Sequence, residues 1–309
     1  MNKFVKTVAL MGALSISTGA LAEAPLVDVE WIKANSCSEG VRVLDIRNGL
    51  DGGSRTGYLQ GHIPCAVYTD YLKGGWRAAV NGVPGQLSKS EDLAKLIGDL
   101  GIDNNTHVVI AHHGKNALDL GSATRMYWTF KVLGHDVVSI LNGGYLAYAS
   151  DEKNKIEKGN NKPDPRTFNV SIREEMMSSK QDVLAAIEDD SVALVDMRPQ
   201  HQFIGINRHP KSKRNGTIPT AQNLPESWMT MNGGGTFRSV PELKQLYSLA
   251  NVETDSEQIN FCNTGHWASL GWFVSSELMG NTKATLYDGS MVEWTADASL
   301  PMTQQVTIE

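Results

Sequence analysis

The sequence predicts an α/β protein made of two tandem copies of one unit, each a mainly parallel sheet with helices on both faces. Three observations predict it. Short apolar runs of strand length alternate with stretches of helical spacing, the pattern of parallel strands joined by crossover helices. A length of 309 residues accommodates about two domains that each bury a core. The order of elements also repeats. Val192-Ala193-Leu194-Val195-Asp196-Met197-Arg198 echoes Val41-Arg42-Val43-Leu44-Asp45-Ile46-Arg47, and Gly216-Thr217-Ile218-Pro219-Thr220-Ala221 echoes Gly61-His62-Ile63-Pro64-Cys65-Ala66.

The first 22 residues stand apart. Lys3 and Lys6 precede a mostly apolar stretch over 8–16, and Ala20-Leu21-Ala22 has the small-x-small form of a cleavage site. A secretory signal cleaved near Ala22 is therefore expected, its apolar part being too short to span a membrane. The mature chain is expected to begin near Glu23, in the periplasm. Without Lys3 and Lys6 the balance is 26 basic against 34 acidic residues, a net charge of −8, which argues against general nucleic-acid binding. The cluster Lys211-Ser212-Lys213-Arg214, with Arg208 nearby, is a local exception and reads as a solvated loop. Cys37, Cys65 and Cys262 are the only cysteines, so at least one is unpaired. Cys37 and Cys65 are candidates for a pair, but sequence alone does not place their Cα atoms within bridging distance.

In the first copy, over 23–150, residues 27–33 read as a short amphipathic helix whose first residues alternate and fit an extended chain as well. A buried strand over 41–47 ends in polar groups, and a Gly-rich loop follows over 48–57. Helical spacing over 90–100, a buried strand over 107–111, a helix over 122–133 and a strand over 137–141 lead into Asn142-Gly143-Gly144. Residues 151–168 are charged and broken by Pro163 and Pro165, the composition of a linker. The second copy occupies 169–309.

The chemistry is expected at Phe261-Cys262-Asn263-Thr264-Gly265-His266-Trp267-Ala268. A short buried strand over 258–261 precedes it and a helix over 269–278 follows, so Cys262 lies in a tight strand-to-helix loop. Backbone N–H groups of the loop and the positive end of the helix dipole converge there and favour a thiolate, the nucleophilic form. Counting back from Gly134 and Gly280, the first copy has Asn116 or Ala117 where the second has Cys262, and so has no nucleophile.

Assembled, these residues resemble the tandem-domain rhodanese sulfurtransferases. The likeness rests on Leu44-Asp45-Ile46-Arg47, Gly61-His62-Ile63-Pro64 and Leu141-Asn142-Gly143-Gly144 in the first half. In the second it rests on Val195-Asp196-Met197-Arg198, Gly216-Thr217-Ile218-Pro219, Cys262 with Gly265 and Ala268, and Tyr287-Asp288-Gly289-Ser290 with Glu293-Trp294. The resemblance implies two rhodanese-like domains, the first catalytically silent. It implies a Cys262 thiolate that takes sulfur from a small anionic donor, holds it as a persulfide and passes it to a thiol, cyanide or a protein acceptor. It implies neither metal nor organic cofactor. Ping-pong kinetics would follow.

Supporting residues are assigned on the same ground. Arg198 would bind the donor's sulfonate or carboxylate, with pairing to Asp196 as the alternative. Asn263, Thr264, Gly265, His266 and Trp267 would line the site, Thr264 offering a hydroxyl and His266 a ring that favours the thiolate if it faces inward. Arg238 would lie at the cleft mouth and Asp70 would face the site from the first copy. The donor stays open between thiosulfate and 3-mercaptopyruvate. Thiosulfate enzymes of the family carry basic residues where this chain has Asn263 and Thr264. Mercaptopyruvate enzymes carry Gly-Ser there, and an arginine where Phe203-Ile204-Gly205 has isoleucine.

Rival readings are weaker. A phosphatase on a related fold needs an arginine six residues after the cysteine, where Ala268 stands. A thiol–disulfide oxidoreductase needs a resolving cysteine near Cys262, and none is near in sequence. A non-enzymatic sulfur carrier would share the loop. His112-His113 lack ligand spacing for a metal site.

Overall fold

The computed structural model describes residues 23–189 and 191–307; the expected secretory segment over 1–22 lies outside them. In the first copy the strands are β1 (Leu26–Val27), β2 (Val41–Asp45), β3 (Val67–Tyr68), the hairpin pair β4 (Arg77–Val80) and β5 (Val83–Leu87), β6 (His107–Ala111) and β7 (Val138–Leu141). Its helices are α1 (Val29–Asn35), α2 (Arg55–Gln60), α3 (Ser90–Asp99), α4 (Ala117–Val132) and α5 (Gly144–Ala149). The second copy supplies β8 (Met177–Ser178), β9 (Val192–Asp196), β10 (Gln222–Asn223), β11 (Glu257–Phe261) and β12 (Ala284–Tyr287). Its helices are α6 (Lys180–Ala186), α7 (Gln200–Phe203), α8 (Val240–Leu249), α9 (Ala268–Phe273) and α10 (Ser290–Ala296).

The strands of each copy form one parallel sheet, ordered β1-β7-β6-β2-β3 and β8-β12-β11-β9-β10. The orders correspond strand for strand, so the repeat read from sequence is a repeat of topology. In both sheets the middle strand is covered on both faces, as a parallel strand requires: β6 is buried throughout, and β11 is buried after Glu257, with Gln258 and Asn260 alternating with Ile259 and Phe261.

Local chemistry sets the boundaries. The ambiguity at 27–33 resolves as both readings in succession. Leu26 and Val27 pair with β7, and the Asp28 carboxylate accepts the Trp31 N–H at 2.8 Å and starts α1. Helix α4 begins at Ala117, five residues before the expected start at 122, because Asn116 Oδ1 accepts the Asp119 N–H at 3.1 Å. After six α-helical residues, α9 continues as a π-helical turn over Val274–Leu278. The linker lies along the first copy rather than free of it: His62 and Glu157 bridge as antiparallel partners, and Arg166 N–H donates to Gly98 O at 2.9 Å.

Helix α4 is buried at 14 of its 16 positions, and only Leu118 and Lys131 are not. It carries Asp119, Ser122, Thr124, Arg125 and Thr129 into the interior along with its apolar side chains, so every face of the helix is packed. One apolar cluster accordingly takes Ile110, Trp128 and Phe130 from the first copy together with Met197, Trp272 and Leu286 from the second. The hairpin β4–β5 stands outside the sheet, its Asn81-Gly82 turn having positive φ at both positions as a type I′ turn needs. Cys37 and Cys65 form a disulfide with Cα atoms 5.3 Å apart, which leaves Cys262 as the free thiol among the described residues. Arg214 of the basic cluster donates to the carbonyls of Asp297, Leu300 and Trp294, holding the C-terminal end of α10.

Candidate active site

Strand β11 delivers Cys262 to the carboxyl edge of its sheet, the edge where open α/β sheets place their binding crevices. The residue is 1% exposed. Three features shape the loop from 262 to 267. Gly265 has φ +72°, and a Cβ there would collide with the Arg125 guanidinium and the Asp288 carboxylate, so only glycine fits. Ser290, held at φ +48°, accepts the N–H groups of Cys262 and Gly265 at 3.1 Å each and donates to Tyr287 O at 2.8 Å. The first turn of α10 takes the carbonyls: Met291 N–H binds Cys262 O and Val292 N–H binds Asn263 O, both at 3.0 Å. With the carbonyls turned away, the N–H groups of Asn263, Thr264, His266 and Trp267 donate to no protein acceptor among the described residues. Together with the start of α9 they form a cradle for negative charge on sulfur.

The first copy closes the site. Arg125 of α4 donates to Gly265 O at 3.1 Å and pairs with Asp288 at 2.6 Å. Burial works against its charge, and Asp288 outweighs that and raises its pKa. From the hairpin, Arg77 donates to Gly85 O at 2.6 Å, to the Tyr71 hydroxyl at 3.2 Å and to Thr264 O. Leu87 N–H reaches Asp288 Oδ2 at 2.7 Å. His266 turns toward this partner: Nε2 lies 2.8 Å from Leu118 O and Nδ1 lies 2.8 Å from the Tyr71 hydroxyl. A carbonyl only accepts, so Nε2 carries the ring proton and Nδ1 accepts a hydrogen bond from the Tyr71 hydroxyl. Burial, reinforced by the Arg77 charge, pushes the His266 pKa down to about 3. The ring faces inward as a neutral strut between the copies.

The other expected residues divide. Asn263 is buried, its Nδ2 donating to Gln202 Oε1 at 2.9 Å. Thr264 is half-buried beside Gly85 of the hairpin, and Trp267 caps α9 against the apolar cluster. Arg198 follows its paired alternative: Nε and Nη2 hold Asp196 at 2.9 and 2.5 Å, and Nη2 also holds Gly216 O at 2.9 Å. Arg47 repeats that arrangement with Asp45 and Gly61 O, so a structural role at the strand end accounts for both. Arg238 donates through Nε to Trp228 O at 2.9 Å. Asp70 accepts the N–H groups of Leu72 and Lys73 at 2.9 and 3.0 Å, forming the turn that sets Tyr71; the neighbour, not Asp70, touches the loop. Sequence reasoning did not single out Tyr71, Arg77 or Arg125, whose partners lie in the other copy. Ser290 stood in a quoted motif without a role.

The structure also corrects the count in the first copy. The residue directly after β6 is His112, and Tyr145 N–H binds His112 O as Met291 N–H binds Cys262 O. The position matching Cys262 is therefore His112, not Asn116 or Ala117. The count slipped because α4 is longer than α9 with its π turn, so the downstream glycines do not stand at equal distances. That copy has no cysteine at the matching position.

A doubled parallel α/β fold with one buried, unpaired cysteine in an N–H-lined strand-to-helix loop defines a class of cysteine-loop proteins. The sequence matches the rhodanese-like domain family over residues 28–151 and 179–297, and the chain belongs to that family. It is 30% identical to a putative thiosulfate sulfurtransferase of Saccharopolyspora erythraea, over 91% of this chain and 96% of that one. It is 31% identical to the sulfur carrier protein TtuD of Thermus thermophilus, over 87% and 93%. The crystal structure of SseA, a 3-mercaptopyruvate sulfotransferase from Escherichia coli, superposes with a TM-score of 0.75 at 25% identity, covering 87% of this chain and 99% of that one. The protein is a sulfurtransferase.

Proposed function

We propose that Cys262 is the nucleophile and carries the transferred sulfur as a persulfide. The donor is a small anion, thiosulfate or 3-mercaptopyruvate, and the acceptor is a thiol or cyanide. The observation that carries this reading is the set of N–H groups around the buried thiol that no protein acceptor uses. With thiosulfate, the Cys262 thiolate attacks the outer sulfur, the S–S bond breaks and sulfite leaves with its electron pair, giving Cys262–S–S⁻. Cyanide then attacks the outer sulfur, thiocyanate departs and the thiolate returns. Negative charge sits on sulfur at each stage, where the cradle stabilises it. The expected secretory segment and the Cys37–Cys65 disulfide support an oxidising compartment, the periplasm, as the place of action.

Thiocyanate formation from cyanide, with thiosulfate and 3-mercaptopyruvate as parallel donors, tests the proposal. Turnover that disappears in Cys262→Ser is the expected result. A TtuD-like carrier is the second reading, favoured by that relative alone. It takes precedence if neither donor turns over while mass spectrometry finds an added sulfur on Cys262.

A further inference from the structure

We propose, building on the sulfurtransferase reading above, that Arg77 is the donor-binding residue: the hairpin of the silent copy supplies the positive charge that receives the anionic end of the sulfur donor at Cys262. The catalytic loop has no cation of its own. Its residues after the cysteine are Asn263, Thr264, Gly265, His266, Trp267 and Ala268, and the His266 ring is held neutral between Leu118 O and the Tyr71 hydroxyl.

Of the other arginines considered for the site, two are held in buried ion pairs. Arg125 is 1% exposed and paired with Asp288, and Arg198 is 1% exposed and paired with Asp196. Arg238 lies against the Trp228 carbonyl. Arg77 differs from Arg125 and Arg198 in one respect: it has no carboxylate within ion-pair distance among the described residues. Its partners, Gly85 O, the Tyr71 hydroxyl and Thr264 O, are all neutral. A guanidinium has five N–H groups, and these three contacts leave two for a ligand. A half-buried guanidinium without a counter-charge has lost hydration that a bound anion would replace.

The hairpin is also built to bring this group to the loop. Gly85 has φ +82°, and a Cβ there would collide with the Arg77 guanidinium while touching Thr264 Cβ at 3.4 Å. The absent side chain is the passage through which Arg77 reaches the residue two places after Cys262. Leu87 N–H on Asp288 fixes the far strand of the hairpin against the same loop.

The test uses the full chain and two independent probes. First, kinetics with thiosulfate: Arg77→Gln is expected to raise KM at least tenfold with kcat changed less than about threefold, and Arg77→Lys to recover part of the loss. Second, alkylation of Cys262 by iodoacetate and iodoacetamide, which differ in charge. Arg77→Gln is expected to slow the anionic reagent about tenfold and leave the neutral one unchanged. Gly85→Ala, which keeps the charge but obstructs its path, should move both readouts the same way; it serves if Arg77→Gln does not fold. A fall in kcat at constant KM, or equal slowing by both reagents, would mean that Arg77 only props the Thr264 carbonyl and would overturn the proposal. If no donor turns over in the unmodified protein while the alkylation ratio still depends on Arg77, the anion site stands and the sulfurtransfer reading of this site fails.

Discussion

The loop after β11 and the loop after β6 occupy the same place in the two copies and differ in what meets their N–H groups. In the second copy Ser290 takes two of them, and those of Asn263, Thr264, His266 and Trp267 meet no protein acceptor among the described residues. In the first copy the place of Ser290 belongs to Gly144, which has no hydroxyl, and a carboxylate of α4 has moved in. Asp119 accepts the N–H groups of His113 at 3.0 Å, Gly114 at 2.5 Å and Lys115 at 2.9 Å, and pairs with His112 at 2.9 Å. Burial opposes its ionisation, but the His112 partner and these donors hold its pKa well below the usual carboxylate range. A cradle for an anion persists in both copies. One holds a reactive sulfur, and the other is filled by its own side chain. The first loop thus differs from the second by more than a missing cysteine.

Four substitutions break or sharpen this contrast. Cys262→Ser should lower thiocyanate formation by at least ~10³-fold, whereas His112→Cys in the first copy should add none, since Asp119 already fills that cradle. Asp119→Ala removes the acceptor of three part-buried donors and the buried partner of His112, and should cost roughly 1–3 kcal/mol of stability in denaturant unfolding. Turnover in native buffer should stay within about twofold; a collapse of kcat would mean that the first loop takes part in catalysis. Ser290→Ala orphans the N–H groups of Cys262 and Gly265. It should lower kcat/KM about tenfold, near 1.4 kcal/mol, through misaligned donors around the sulfur.

A further effect, on stability rather than turnover, is in pH. Burial, then the neighbouring Asp119, raises the Asp51 pKa to about 6. A carboxyl raised in the folded state adds stability that is complete below its unfolded pKa near 4 and is lost as pH rises through about 6. Asp51→Asn should therefore flatten the stability profile between about pH 4 and 6 and raise stability at pH 8 by roughly 1–3 kcal/mol. His266 has the opposite sense. Its depressed pKa contributes stability that is present above about 6.5 and lost as pH falls toward about 3, so acid should loosen the contact between the copies.

The fold was legible in the sequence because its signals are local. The mainly apolar runs at 41–45, 107–111 and 192–196 each carry their own strand pattern, the segment 258–261 alternates polar and apolar residues, and the Asp-x-Arg ends mark the repeat twice. Cys262 and Gly265 were legible for the same reason, a thiol and a glycine in one short turn. What the sequence could not display was contact across distance. Arg77 meets Thr264 across 187 positions and Tyr71 meets His266 across 195, and neither pair leaves a periodic trace in the chain. The role expected of Arg198 failed to appear for a related reason: its nearest carboxylate, Asp196, stands two residues away and takes the guanidinium first.

Helix α4 gives the duplication a further meaning. A segment buried on every side by both copies ties their fates together: neither half can lose its shape while the other keeps a closed interior. Cutting the chain after residue 168 would strip the second half of the wall that Trp272 and Phe273 rest on, exposing oily surface where water is poorly tolerated. The structural unit is therefore the whole chain, since its two halves share one interior.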